Sequence, residues 1–383
     1  METDVVVKPR DVMPQGASTL PAPFYTDAGY FRREMESLYA RMWICAGRVE
    51  QIEKPGQFIL REVLGESIII TTNVAGKVNA FYNVCRHRGT KLCTELEGTF
   101  GRSIQCPYHV WTYDLDGALI GAPHMEEVPH FSKQDYPLRA VSADVWDGHI
   151  FINLAAEPRP LPEQLATLPD KFVPWRMQEL RLGQRIVYNV KANWKLIIQN
   201  YNECLHCPNL HPALNKLSHY LSGENEPLQA TYMGGRMDLR PGVSTLTWDG
   251  TCGDRAVLPG LSDEDVRRVY YYAIFPNMLL SLHPDYMMVH TLWPQAPDRT
   301  INICEWHFHP RELARPGFDP RDAVEFWDMT NRQDWHVCEL SQAGISSRAY
   351  SPGPYSNRED LLYAFDQMIR GVHGSHGSHH DDH

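Results

Sequence analysis

Two short pairs of cysteine and histidine constrain this chain more than any other feature of its sequence. Cys85 and His87 form the first pair, Cys106 and His109 form the second, and 18 residues separate the two pairs. Two thiolates and two imidazoles can hold a [2Fe–2S] cluster in which the thiolates bind one iron and the imidazoles bind the other. The sequence therefore predicts two loops, each of which supplies one thiolate and one imidazole to the same cluster.

A structural zinc ion is the alternative for the same four residues, because two cysteines and two histidines also suit a tetrahedral zinc site. Zinc sites usually group cysteine with cysteine and histidine with histidine. Each pair in this chain is mixed. The spacing therefore favours the iron–sulfur cluster over zinc.

The composition is that of a globular chain. Among its 383 residues, 43% are hydrophobic and 22% are charged, and the formal net charge is −11. The length allows two domains, and the negative charge argues against nucleic acid as a partner. No run approaches the ~18 apolar residues of a membrane span, and the N-terminus shows no secretion signal. We therefore expect a cytoplasmic protein without a membrane partner, whose nine cysteines are reduced thiols rather than disulfides.

The hydrophobic pattern divides the chain into four segments. Residues 1–40 predict a helical segment that packs on the second domain. Residues 41–155 predict an antiparallel β domain with both Cys/His pairs, because its apolar runs are short, β-branched and broken by turn residues. Residues 156–370 predict a second domain of mixed strands and helices, and residues 371–383 predict a disordered histidine-rich tail.

Three stretches of the second domain carry specific predictions. Residues 194–205 predict a helix that ends before Pro208. Residues 270–294 predict two strands that turn at residues 283–285, and residues 322–345 predict a long amphipathic helix.

A second group of possible metal ligands lies in this domain. His206 and His211 are five residues apart, and Pro208 between them disfavours regular helix, so the chain can bend and bring them together. Two imidazoles and one carboxylate form the facial triad that binds Fe(II) and leaves positions for O2 and substrate. Alone, the pair could equally be two ordinary histidines at a helix end. The iron site is favoured because the cluster needs somewhere to send its electrons.

Both motifs resemble those of the Rieske non-haem iron oxygenases, in their alpha (catalytic) subunits. The similar segments are CRHRGTKLC at 85–93 and CPYHVWTYDLDGAL at 106–119. The resemblance implies an α+β fold: an antiparallel β Rieske domain and a helix-grip (START-like) catalytic domain with an antiparallel sheet and a long C-terminal helix. Its implied cofactors are a [2Fe–2S] Rieske cluster and a mononuclear Fe(II).

The same resemblance implies the third iron ligand. The segment NRQDWHVCELSQAG is similar to the late helix that carries the family's aspartate ligand, and it places that ligand at Asp334 rather than at Asp328 or Asp322. His336 lies two residues further on, so it would face away on a helix, and we interpret it as structural.

Glu203 marks a branch of the family. The frame NYNECLHCP at 200–208 resembles the glycine betaine, carnitine and proline-betaine monooxygenases, whereas ring-hydroxylating members commonly have aspartate at this position. The resemblance implies that Glu203 connects His206 to a Rieske histidine of a neighbouring subunit, for which His109 is the matching residue. It also implies a homotrimer or a dimer of trimers. The alternative for Glu203 is a solvated helix residue.

The resemblance implies an oxygenase component that receives electrons from a separate NAD(P)H-dependent flavin and iron–sulfur reductase. No G-x-G-x-x-G nucleotide loop follows a strand in this chain. The predicted reaction is oxidative N-demethylation or cleavage of an N-methylated or quaternary amine. Leu205, where many betaine-type relatives have tyrosine, weakens that prediction. Hydroxylation or dihydroxylation of an aromatic ring, with or without a carboxylate, is the alternative, and a non-catalytic Rieske electron-transfer protein is a remote one.

Aromatic and apolar strand residues are the candidates for the substrate pocket, since aromatic faces attract quaternary ammonium groups. Strand alternation should direct only about half of them inward. The candidates are Tyr270, Tyr271, Tyr272, Phe275, Tyr286, Trp293, Trp306, Met278, Leu280, Met287 and Met288, together with His290 or His309.

Overall fold

The computed structural model describes residues 13–226 and 229–374 and divides the chain into two units. The smaller unit is Leu38–Ala166, and the larger unit joins the residues up to Ser37 with those from Thr167 onward. No helix in the described part of the chain has the length and apolar character needed to cross a bilayer.

Two short helices, α1 (Pro23–Thr26) and α2 (Ala28–Glu34), and a π-helical turn over Met35–Tyr39 begin the described chain. Asp27 separates the two helices, because its extended backbone interrupts helical geometry while its carboxylate accepts hydrogen bonds from the Gly29 and Tyr30 amides.

The smaller unit is built from antiparallel strands, as predicted. Its elements are β1 (Ile44–Arg48), β2 (Gln57–Val63), β3 (Glu66–Thr72), β4 (Val78–Tyr82), β5 (Glu97–Thr99), β6 (Ser103–Gln105), β7 (Thr112–Asp114), β8 (Leu119–Gly121), β9 (Ala140–Trp146), β10 (His149–Asn153) and helix α3 (Leu161–Leu165). Seven strands form one sheet in the order β1-β10-β9-β4-β3-β2-β5, and β6-β7-β8 form a second sheet. Apolar side chains from both sheets, including Ile69, Phe81, Trp111 and Tyr113, share one core.

The larger unit is built on one seven-stranded antiparallel sheet in the order β11-β17-β16-β15-β14-β13-β12. Its strands are β11 (Arg181–Val190), β12 (Glu224–Asn225), β13 (Tyr232–Asp238), β14 (Arg268–Ile274), β15 (Met278–Leu282), β16 (Tyr286–Ala296) and β17 (Arg299–Phe308). Its further helices are α4 (Leu168–Lys171), α5 (Trp194–Tyr201), α6 (Cys207–Leu210), α7 (Pro212–Leu217), α8 (Pro310–Leu313), α9 (Arg321–Ile345) and α10 (Asp360–Gly374). The predicted α+β class is therefore confirmed.

The stretch of residues 270–294 contains a turn that the sequence prediction missed. The predicted turn at residues 283–285 joins β15 to β16, but a second turn around Pro276 separates β14 from β15. Proline cannot donate a backbone hydrogen bond inside a sheet, so Pro276 was the available signal for the extra turn.

The start of the predicted tail at residue 371 is wrong. Helix α10 continues through Gly374 because His373 is anchored: its ring stacks on Tyr30 with centroids 4.4 Å apart, and its Nε2 lies 3.2 Å from Glu34 Oε1. The rest of the predicted tail, residues 375–383, lies outside the described residues.

Helices α5 and α9 lie against each other in the larger unit. The Asn193 amide, at the start of α5, donates to Gln342 Oε1 of α9 at 2.9 Å, and Cys338 Sγ of α9 lies 3.6 Å from Leu196 O. This packing places the middle of α9 beside the C-terminal end of α5, where the predicted histidine ligands follow.

A buried carboxylate connects α10 to α5. Asp366 accepts hydrogen bonds from Gln199 Nε2 at 2.6 Å and from Tyr355 OH at 2.7 Å. Burial raises the pKa of Asp366 to about 6, against the opposing effect of these two hydrogen bonds. Its folded-state pKa therefore lies above the unfolded value of ~3.9.

This raised pKa predicts that the wild type loses stability as pH rises. The folded state holds the extra proton, so the linked stabilisation is fully present below pH ~4 and is lost as pH rises through about 6. Asp366→Asn removes the titration. The free energy of unfolding of the variant minus that of the wild type should therefore rise by on the order of 1 kcal/mol between pH 5 and pH 7.5. Melting curves at several pH values measure the gain, with the exposed Asp298→Asn as the matched control. A difference in free energy of unfolding between Asp366→Asn and the wild type that stays constant with pH would contradict the prediction.

Candidate metal centres and active-site cavity

The two Cys/His pairs lie on two loops of the smaller unit. Cys85 and His87 follow β4, and Cys106 and His109 join β6 to β7. The Cys85 and Cys106 amides each donate to a carbonyl within their own loop, at 2.9 Å and 2.8 Å. The ring centroids of His87 and His109 lie 4.8 Å apart, so the structure brings the two pairs together.

These four side chains suit a metal cluster. Cys85 and Cys106 are buried, and burial raises the pKa of the Cys85 thiol, so its thiolate needs a nearby positive charge such as iron. Within the described residues, the buried Nδ1 of His87 has no hydrogen-bond partner. A buried nitrogen of this kind is rare unless it binds something. Tyr113 OH lies 3.4 Å from Cys85 Sγ, and hydrogen bonds to cluster sulfurs tune the reduction potential.

His206, His211 and Asp334 meet in the larger unit. One ligand atom from each side chain lies within 4.8 Å of the other two. Asp334 Oδ1 is 2.7 Å from His211 Nε2 and 3.4 Å from His206 Nε2. Two imidazoles and one carboxylate in this arrangement match the donor set of a non-haem Fe(II) site.

The other candidate acids of α9 are engaged elsewhere. Asp328 accepts a hydrogen bond from Tyr188 OH at 2.7 Å, and Asp322 accepts one from Arg255 at 2.7 Å. His336 is exposed. Of the acids of α9 weighed from the sequence, Asp334 is the one that reaches the histidines.

The outer nitrogens of both histidines are held by side-chain oxygens. His206 Nδ1 lies 2.5 Å from Glu203 Oε1, and His211 Nδ1 lies 2.7 Å from Gln333 Oε1. Because these oxygens accept, both Nδ1 atoms carry the proton and both Nε2 atoms can bind a metal. Sequence reasoning missed Gln333, although it directly precedes Asp334.

The charges at this centre favour a cation. Burial lowers the pKa of His206, but hydrogen bonds to Asp334 and Glu203 outweigh burial and raise it to about 10. Burial raises the pKa of Asp334, but the two histidines outweigh burial and hold it below its usual value. A divalent metal can replace the proton that Asp334 and Glu203 hold on His206, so metal binding at this centre releases a proton.

The loop after α5 differs from the predicted helix. Because α5 ends at Tyr201, Glu203 and His206 meet across a turn rather than on one helical face. The structure also pairs Cys204 with Cys207 in a disulfide that brackets His206. This corrects the prediction that all nine cysteines are reduced. The turn brings the two Cα atoms within 5.0 Å, a separation that disulfides span.

A cavity of about 130 Å³ opens at the three clustered residues. Helix α9 lines it with Trp327, Thr330 and Asn331, which lie seven, four and three residues before Asp334 and therefore share its helical face, and with Trp335. Sequence reasoning missed these neighbours. Helical spacing counted back from Asp334 would have found the first three.

Strand alternation decides which predicted pocket residues reach the cavity. Tyr271 and Met288 line it. Tyr270 and Tyr272 point to the other face of β14, where their rings pack against Phe172. The remaining aromatic and apolar strand candidates do not line the cavity.

Of the two candidate pocket histidines, His290 lines the cavity and His309 caps α8 instead. The Nδ1 of His290 lies 3.2 Å from Asn302 Oδ1. Burial lowers the pKa of His290 to about 4, so its imidazole is uncharged near neutral pH.

Comparisons with known protein families match both units. Residues 42–132 match the Rieske [2Fe–2S] domain. Residues 177–374, just over half of the chain, match the ring hydroxylating alpha subunit (catalytic domain).

Comparisons with individual proteins cover most of the chain. The glycine betaine monooxygenase oxygenase subunit of Pseudomonas aeruginosa is 31% identical over 366 residues, which cover 88% of this chain and 85% of that protein. The carnitine monooxygenase oxygenase subunit of Escherichia coli is 29% identical over 348 residues, covering 88% and 87%. A solved quaternary ammonium Rieske monooxygenase in complex with L-carnitine shares the fold, with a TM-score of 0.78, 24% identity, and 95% and 99% coverage.

These matches confirm the resemblance seen in the motifs, the two-part fold and the enzyme class. The Rieske match lies within the predicted residues 41–155, and the catalytic-domain match begins inside the predicted second domain. The chain belongs to the ring-hydroxylating alpha subunit family of Rieske non-haem iron oxygenases, whose cofactors are a Rieske [2Fe–2S] cluster and a mononuclear iron.

Proposed function

We propose that this oxygenase oxidises an N-methyl group of a small quaternary amine. In this proposal Cys85, His87, Cys106 and His109 bind the [2Fe–2S] cluster. The mononuclear iron is bound by three further side chains, those of His206, His211 and Asp334.

The composition of the cavity wall is the observation that carries the substrate proposal. The rings of Tyr271, Trp327 and Trp335 line the cavity that opens at the three clustered residues. Aromatic faces attract quaternary ammonium groups. An uncharged aromatic substrate lacks the positive charge on which this attraction depends. The relatives named for glycine betaine and carnitine support the same substrate class.

Bound iron supplies the oxygen activation that hydroxylates a C–H bond. The chain's own residues prepare that step. Glu203 and Gln333 hold the histidines with Nε2 toward the metal, and the aromatic wall holds the cationic nitrogen so that its methyl groups meet the reactive centre. The resulting N-hydroxymethyl group then loses its hydroxyl proton, and its C–N bond breaks with the electron pair going to nitrogen. Formaldehyde leaves, and the amine has one methyl group fewer.

The proposed electron route uses Glu203. One carboxylate oxygen contacts His206 Nδ1, and the other accepts from the Leu205 amide, so the side chain is held beside the iron ligand. We propose that this carboxylate also receives a hydrogen bond from His109 of a neighbouring copy, in a homotrimer or a dimer of trimers. Electrons would come from a separate NAD(P)H-dependent flavin and iron–sulfur reductase, in keeping with relatives that are named as oxygenase subunits.

The test of the substrate class is a panel assay of the holoenzyme with a surrogate reductase. Glycine betaine, carnitine and choline are compared with naphthalene and benzoate while NADH consumption and formaldehyde are measured together. We expect formaldehyde in step with NADH for at least one quaternary amine. Hydroxylated aromatic product without formaldehyde from any amine would contradict the proposal. Peroxide is measured as the control for NADH consumed without substrate oxidation.

Glu203→Gln tests the electron route. Glutamine keeps an oxygen for His206 Nδ1, so both metal centres should stay fully loaded, but it lacks the charge that would bind a second imidazole. We expect reoxidation of the reduced cluster in a single turnover to slow roughly 10- to 100-fold. Stopped-flow absorbance of the cluster measures the rate, and Glu325→Gln, an exposed residue of α9, is the matched control. An unchanged reoxidation rate would rule out the bridge.

A further inference from the structure

Two arginines line the active-site cavity, and they differ in whether their guanidinium groups form ion pairs. Arg236 and Arg358 are both among the lining residues. The guanidinium of Arg236 forms ion pairs with Glu224 and with Asp238, the latter at 2.6 Å. Its charge is therefore balanced within the protein.

Arg358 has no such partner in the part of the chain that the structure describes. It is half-buried, and among the described residues no acidic side chain forms an ion pair with it. The adjacent acids are engaged elsewhere: Glu359 accepts from the Ser356 amide at 2.8 Å, and Asp360 accepts from Asn225 Nδ2 at 2.9 Å. The side chain of Arg358 thus brings to the cavity a positive charge that no described acidic side chain balances.

The position of Arg358 is fixed by its surroundings. Asn225 lines the same cavity and belongs to β12, so its hydrogen bond to Asp360 ties the sheet to the first residue of α10. Leu361, one residue further on, is buried and also lines the cavity. The residues directly after Arg358 are therefore held at the cavity wall.

We propose that Arg358 binds the carboxylate of the substrate, and that the substrate is a zwitterionic betaine rather than an amino alcohol such as choline. The inference rests on the proposed function, because the cavity then receives both ends of one molecule. The aromatic rings take the quaternary ammonium, and Arg358 takes the carboxylate. A guanidinium matches a carboxylate with two parallel hydrogen bonds, which gives geometric selectivity as well as affinity.

Three probes separate the two ends of the substrate. Glycine betaine carries both charges, choline lacks the carboxylate, and 3,3-dimethylbutanoate keeps the carboxylate but replaces the ammonium by a neutral carbon. Dissociation constants for the anaerobic holoenzyme are measured by calorimetry for the wild type, Arg358→Gln and Arg358→Lys. Arg348→Gln, at an exposed arginine of the same C-terminal region, is the matched control.

Arg358→Gln should weaken glycine betaine and 3,3-dimethylbutanoate about 10- to 100-fold, the loss of a hydrogen bond between charged groups. Its dissociation constant for choline should change less than about threefold on the same scale. Arg358→Lys should restore part of the carboxylate affinity, because it keeps the charge without the paired geometry. Arg348→Gln should behave as the wild type with all three probes.

The inference is overturned if Arg358→Gln leaves both carboxylate probes unchanged, if it weakens all three probes equally, or if the wild type binds neither carboxylate probe. These outcomes are separable from failure of the proposed function. Weak choline binding and no formaldehyde from any amine, together with a carboxylate probe that depends on Arg358, would reject the amine substrate and keep the carboxylate site. Formaldehyde from glycine betaine, together with unchanged carboxylate binding in Arg358→Gln, would keep the amine substrate and reject the carboxylate site.

Discussion

The contact of the Asp334 carboxylate with the two histidine Nε2 atoms is the interaction on which the rest of the site depends. It joins residues more than 120 positions apart in the chain. The contact exists because α9 packs along α5, through Gln342 at the Asn193 amide. A shift of α9 by one turn, ~5.4 Å, would move Asp334 out of reach of both imidazoles.

The same packing assembles the cavity. The helical face that presents Asp334 also presents Trp327, so the proposed metal ligand and part of the aromatic wall are positioned by a single rigid element. Other parts of the cavity wall come from the sheet, which contributes Tyr271, and from the turn before α10, which contributes Arg358. A small molecule with one cationic and one anionic group finds a complementary group for each within one cavity.

The sequence predicted what depends on local pattern. Short β-branched runs indicated the antiparallel unit, and amphipathic spacing indicated α9 within one residue of its N-terminal end. The sequence did not predict the features that depend on packing between distant segments. Nothing local marks Gln333 as the residue that orients His211, because that role exists only once α9 meets the loop after α5. Likewise, the Cys204–Cys207 pair depends on a turn that begins after Tyr201, whereas the pattern predicted helix as far as residue 205.

The central claim is that the cluster and the iron are held by separate residue sets in one chain, with Asp334 as the acidic ligand of the iron. Iron and acid-labile sulfide per chain, measured together with the electron paramagnetic resonance of the reduced cluster, test it most directly in Asp334→Ala. Asp328→Ala on the same helix is the control. The account predicts that Asp334→Ala loses the mononuclear iron and all oxygenation while its cluster signal is unchanged, and that Asp328→Ala keeps both metals. Full mononuclear iron or continued oxygenation in Asp334→Ala would contradict it.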